Sequence, residues 1–338
     1  MNRRTAGLRS LAAPTRLRVR RPADFLAVIP YLVGFHPSES VVALLFRQGR
    51  VLLTARIDLP PPELADEVSA HLREVSGRHQ VDEVVLAAYS RDLSGARLLV
   101  ERVVADPPVP VRDALLVGGG RWWSLTCSSG CCPEEGTPYD LTGHLLAAEA
   151  VYAGLAVERD RSALAGRVSG PPSAAEAPLL ARLAPRRQRV AALGTAGAGR
   201  LMADTVRRLR ADPEPVDEDC LLLAVLAEDL VVRDVAWAMM RRPDIGADVG
   251  VWGRVVARAP RAVAAGPLGL LGAAAWISGN GALQNCCVER LKLLDPTYTL
   301  GALLAQISEA ALAPSTWDAM AEDLRREVSA VAGLPGLY

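Results

Sequence analysis

The sequence predicts an α/β unit, a mixed sheet with flanking helices, followed by an all-α unit of helical hairpins. Three observations carry this. Apolar and alternating runs in the first half follow the order β, β, α, β, α, β, β, which favours a sheet with helices packed on it. Beyond residue 185 the apolar residues recur at helical spacing instead. The length of 338 residues exceeds one ordinary core and suits two units of ~100–200 residues each. The expected division is a disordered basic tail over 1–16, the α/β unit over 17–168, a Pro-, Ala-, Ser- and Gly-rich linker over 169–185, and the helical unit over 186–338.

Taken in order, Leu17 to Arg21 alternates briefly and predicts an edge strand. Pro22 suits a first helical turn and Gly34 a position just past a helix end, so a short apolar helix is expected between them. Val41–Phe46 and Val51–Leu59 read as a hairpin turned at Arg47–Arg50, with Thr54, Arg56 and Asp58 alternating against Leu53, Ala55 and Ile57. Pro60–Pro62 stops the second strand. Leu64, Val68, Leu72 and Val75 then share one helix face before Gly77. Val81–Tyr89 is a continuous apolar strand of the kind covered on both faces. Ser94 is a candidate cap for a helix ending near Ala105, Val109–Val117 returns as a strand, and Gly118–Gly120 turns it into a strand carrying Trp122 and Trp123. A helix around His144–Val157 closes the unit. In the second half helices are expected over Arg200–Arg210, Asp217–Arg242, Val249–Arg258, Pro267–Ile277, Ala282–Leu294, Leu300–Leu312 and Ser315–Val331, with breaks at prolines and at Gly279. The Leu271–Pro296 hairpin has the spacing of a tetratricopeptide unit, but no second copy stands beside it.

Half the residues are apolar and 22% are charged, so the chain can bury substantial cores. Net charge is zero, which removes any overall drive toward nucleic acid or an anionic membrane. Every charged side chain before Pro22 is an arginine, yet no aromatic residues interleave there to stack bases, so nucleic acid is not the expected partner. The longest apolar run, Ala262–Ile277, is shorter than the ~20 residues of a span and is expected as a buried helix. Without a secretory pattern the expected compartment is the cytoplasm, where the cysteines stay reduced.

Chemistry concentrates between Arg121 and Pro138. Cys127, Cys131 and Cys132 are soft ligands on a loop that Gly130 and Pro133 can bend, which suits zinc or an iron–sulfur cluster, or else redox chemistry of the thiols; a fourth metal ligand would come from elsewhere, with His36, His144, Cys220 and the Cys286–Cys287 pair as options. Buried structural thiols are the competing reading, and adjacent cysteines within one helix point ~100° apart, so Cys286 and Cys287 are expected in the core. His36, Ser38 and Glu39 form a polar loop that, with Asp58, Arg91, Trp122 and Trp123, makes a candidate pocket if the strands bearing Asp58 and Arg91 run parallel. An ordered turn that satisfies its own backbone is the simpler reading of that loop. Asp229 and Arg233 are expected as a surface ion pair one helical turn apart.

The segments PYLVGFHPSES, ARIDLP, RWWSLTCSSGCCPEEGTP and AAAWISGNGALQN together resemble an uncharacterised actinobacterial family known only as a domain of unknown function. The resemblance runs from about residue 17 to 312 and implies a cytoplasmic bacterial protein of this layout, with no activity or cofactor attached. Gln284 and Cys286–Cys287 stand where the family pattern calls for small aliphatic residues. Helices and apolar surface are plentiful in the sequence and catalytic constellations are not, so the function expected is binding or scaffolding of a protein partner without catalysis. The alternative is an enzyme whose pocket lies between the 34–40 loop, Asp58 and the 122–138 segment.

Overall fold

The computed structural model describes residues 19, 21–127, 130, 132–141, 143–152, 157–211 and 217–334. The expected tail over 1–16 lies outside them, as do Cys131 and most of the expected edge strand Leu17–Arg21. The chain divides into two compact units, Met1–Val157 and Glu158–Tyr338.

The first unit runs α1 (Pro22–Val33), β1 (Ser40–Arg47), β2 (Arg50–Asp58), α2 (Ala65–His79), β3 (Glu83–Tyr89), α3 (Leu93–Ala105), β4 (Val111–Gly118), β5 (Arg121–Ser124), β6 (Thr137–Pro138) and α4 (Leu145–Tyr152). The six strands form one mixed sheet in the order β2-β1-β3-β4-β5-β6, with β3 and β4 parallel and the other pairs antiparallel. Gln48 and Gly49 both take positive φ, 53° and 70°, the conformation that a two-residue hairpin turn demands. Because β1 is antiparallel to both neighbours, β2 and β3 run in the same direction, as the candidate pocket required. A transverse row, Asp58–Ser40–Tyr89–Val117–Trp122–Thr137, crosses all six strands. Strand β1 is buried over Ser40–Phe46, as its apolar run predicts.

Several local expectations change for identifiable reasons. Asp92, not Ser94, caps α3: its Oδ1 accepts from the Ser94 and Gly95 backbone N–H groups at 3.1 and 3.2 Å, and the Ser94 hydroxyl donates to the same oxygen. Helix α2 continues through Gly77, and Gln80 takes the left-handed conformation that ends it. The short strand β6 carried no sequence signal, since two residues are too few for an alternating pattern.

The second unit is helical: α5 (Arg161–Gly166), α6 (Ser173–Ala181), α7 (Leu183–Ala191), α8 (Gly194–Ala211), α9 (Asp217–Leu226), α10 (Leu230–Ala238), α11 (Ile245–Arg258), α12 (Ala265–Ile277), α13 (Gly281–Leu294), α14 (Thr299–Glu309) and α15 (Trp317–Ala332). Helix α6 and the start of α7 occupy the stretch 169–185, expected as a linker. The expected helix Asp217–Arg242 is two helices. Asp229 caps the second of them by accepting from the Val231 and Val232 N–H groups, so it does not pair with Arg233. Arg233 is buried and pairs instead with Asp234 and the Tyr298 hydroxyl, over whose ring it also lies. Helix α12 is buried along almost its whole length and packs against α13 as a hairpin, with Cys286 and Cys287 in the core. Among the described residues no helix is long and apolar enough to cross a membrane. Trp317 joins three elements by stacking on Trp237 at 5.4 Å, meeting Trp276 edge-on at 6.3 Å and donating to the Met240 carbonyl at 3.2 Å.

Candidate functional site

The 34–40 loop enters β1 at the Asp58–Ser40–Tyr89 end of the sheet, the end where Arg91 leaves β3. His36, Ser38 and Glu39 are exposed there, and Glu39 takes a φ of 41°. Its carboxylate is committed: Oε2 accepts from the Ser90 hydroxyl at 3.0 Å and Oε1 from the Arg91 backbone N–H at 2.9 Å. Asp58 is paired with Arg56 at 2.7 Å, and Arg56 lies over the Phe35 ring. These groups share a sheet end, but each carboxylate serves a turn or an ion pair. The anion-binding position that the start of α3 would offer is filled by the Asp92 carboxylate.

Trp122 lies on the same transverse row as Ser40 but three strands away, ~14 Å at ordinary strand spacing. Trp122 is buried, whereas Trp123 faces the cysteine segment, its Nε1 donating to the Glu134 carbonyl at 3.1 Å and its ring lying where a Cβ on Gly136 would fall. From there β5 runs away from the 34–40 loop. Ser124 pairs with Leu115, the Leu125 N–H donates to the Ala114 carbonyl, and the Ser124 and Thr126 hydroxyls donate to Asp113 at the start of β4. Cys127 therefore follows a strand that leads to the opposite end of the sheet from the loop of His36. Cys127 and Cys132 are partly exposed, and no group of three or more His, Cys, Asp or Glu side chains among the described residues is placed to hold a metal. The His144 ring is engaged at both nitrogens: Nδ1 accepts from the Leu146 N–H at 3.3 Å, and Nε2 is 3.4 Å from the buried Asp24 carboxylate.

A cavity of this unit lies elsewhere, on the sheet face that α2 covers. It measures about 260 Å3 and is lined by Ala43, Ala55, Ile57, Leu64, Val68 and Leu86 among others, with Glu67 and His71 at its edge. Its cause is a cross-strand pair of small residues. Ala43 on β1 stands opposite Ala55 on β2, with Leu86 beyond on β3, and the α2 side chains do not fill the gap the two alanines leave. Ile57, Leu64 and Val68 consequently stay partly solvated although they point into an apolar space. Neither Ala43 nor Ala55 carried a chemical signal in the sequence. Two alanines at register-matched positions are visible only once strand pairing is known.

A family model for a domain of unknown function, DUF4192, matches residues 22–315. The chain belongs to that family. The matched stretch contains both the α/β unit's cavity and the helical hairpins. No curated protein and no solved structure matches the chain. Membership thus attaches no substrate to the chain, and its chemistry has to be read from the site.

Proposed function

We propose that this family member is a binding protein whose α/β unit holds the apolar part of a small ligand in the cavity between β1, β2 and α2. The observation that supports it is the Ala43–Ala55 gap, which leaves about 260 Å3 bounded almost wholly by aliphatic side chains. A space of this size is too small for a helix or strand and suits a ring, a short aliphatic chain or one inserted side chain. Entry of such a group would remove Ile57, Leu64 and Val68 from water, each Å2 contributing about 25 cal/mol. Glu67 and His71, one helical turn apart on α2, would meet a polar group of the ligand at the rim. Catalysis at the 34–40 loop draws less support, because Glu39 and Asp58 are both committed to protein partners. A zinc centre joining Cys127 to His36 draws less support, because β5 carries Cys127 toward the end of the sheet opposite the His36 loop.

Titration of the full chain with benzene, followed by residue-resolved NMR, tests the reading. Shifts are expected at Ala43, Ala55 and Val68, and Ala55→Leu, which fills the gap, should abolish them. Benzene shifts that persist in Ala55→Leu, or none at saturating benzene in the wild type, would overturn it.

A further inference from the structure

The helical unit contains a second cavity, of about 350 Å3, with a different lining. Its apolar wall is built from Val168, Val256, Ala259 and Leu268, which are buried, and its polar side from Ser169, Ser173, Glu176, Arg261 and Arg290. Glu176 is the one carboxylate in the lining, and its Oε1 accepts the Arg261 backbone N–H at 2.6 Å. Arg290 gives one Nη2 hydrogen bond to the Ser169 carbonyl at 3.2 Å. The Arg261 guanidinium is exposed and has no acceptor among the described residues. Two arginines thus line a cavity whose one carboxylate is already bonded to a backbone N–H, beside a hydrocarbon wall.

We infer that this cavity binds a compact oxyanion carried on an apolar body, a carboxylate or a phosphate on a short hydrocarbon. A guanidinium presents its N–H groups in a planar fork that matches either oxyanion, and such charge-assisted bonds are stronger than neutral ones. The buried aliphatic wall would take the hydrocarbon part, which neither arginine can satisfy. The volume excludes a helix and stands near the lower bound for small-molecule pockets. Every lining residue belongs to the helical unit, so the inference is independent of the cavity between β1, β2 and α2.

The test titrates hexanoate, hexyl phosphate, 1-hexanol and inorganic phosphate into the full chain, with amide shifts at Ser169 and Leu268 as the readout. At least one hexyl anion should bind tenfold or more tighter than 1-hexanol and inorganic phosphate, and whichever of the two binds tighter identifies the oxyanion. Arg261→Gln and Arg290→Gln should each weaken that anion at least tenfold, whereas Ala55→Leu should change nothing. Arg261→Gln decides if Arg290→Gln misfolds, because the Arg261 side chain makes no bond that folding needs. Equal binding of 1-hexanol would overturn the anion subsite, equal binding of inorganic phosphate would overturn the apolar one, and anion binding that survives Arg261→Gln would overturn the assignment.

Discussion

Gly118 ends β4 where the turn from β3 into α3 crosses it, and a Cβ there would lie 2.2 Å from the Ser90 carbonyl oxygen and 2.6 Å from Leu93 Cδ2. The obstacle is backbone, which cannot swing aside as a side-chain tip can. Gly118→Ala should therefore destabilise the first unit by at least ~2 kcal/mol in urea titration, whereas Gly119→Ala, which meets no neighbour within 4 Å, should cost only the strain of its positive φ. A second residue-scale prediction concerns Asp248, fully buried, whose Oδ1 accepts from Arg210 Nε and Nη2 at 3.0 and 2.6 Å. Burial pushes its carboxyl up to about 6 even though the Arg210 guanidinium pulls the other way. The folded chain thus retains a proton that the unfolded chain releases near pH ~4. This contribution to stability is complete below that pH and is lost as pH rises through 6, a change on the order of 3 kcal/mol. Asp248→Asn should flatten the decline. Equal pH slopes for wild type and variant between pH 4 and 7, measured by urea midpoints, would refute it.

Elements were legible in the sequence where one physical signal dominated. The β1–β2 hairpin was readable because two apolar runs flank Gln48–Gly49, and α12 because its apolar run is too short for a membrane and too long for a strand. Helix α6 was hidden because Pro171, Pro172 and Pro178 make its segment resemble a linker. Yet Pro172 lies at the cap and Pro178 inside the helix, and Glu176 reaches the Arg261 N–H. The break between α9 and α10 was missed because Asp229 can be read as a helix-surface ion or as a cap, and only the cap satisfies two backbone donors. The candidate site was less legible than the elements, since a polar loop such as that of His36 carries a chemical signal whereas a cavity is made by missing volume. At this scale Trp317 is the test of how the helices cohere. It stacks on Trp237 of α10 and abuts Trp276 of α12, so Trp317→Ala should cost ~3–5 kcal/mol. Trp317→Phe should recover part of that through stacking but lose the bond to the Met240 carbonyl. Thermal unfolding followed by tryptophan fluorescence distinguishes the two variants.

For the whole molecule, the two compact units each have a cavity, one nearly all aliphatic and one with two arginines, and this allows ligand linkage to be assigned unit by unit. A ligand that binds only the folded state stabilises it by RT ln(1 + [L]/Kd), about 1.4 kcal/mol at tenfold excess over Kd. Benzene should raise the protection of slowly exchanging amides in β1 and β3 by about that amount and leave those of α12 unchanged. Hexanoate should do the reverse if the helical cavity takes the carboxylate. The pattern follows from the chemistry of the linings, because an uncharged ring gains nothing from Arg261 or Arg290 and a carboxylate loses hydration against Ala43 and Ala55. Salt provides a further separation. Raising ionic strength screens the partly exposed guanidinium groups and should weaken hexanoate, while benzene binding should hold or strengthen. A hydrogen-exchange experiment in which both ligands protect both units equally would mean that the two cavities do not discriminate by charge, and the division of binding between the sheet and the helices would fail with it.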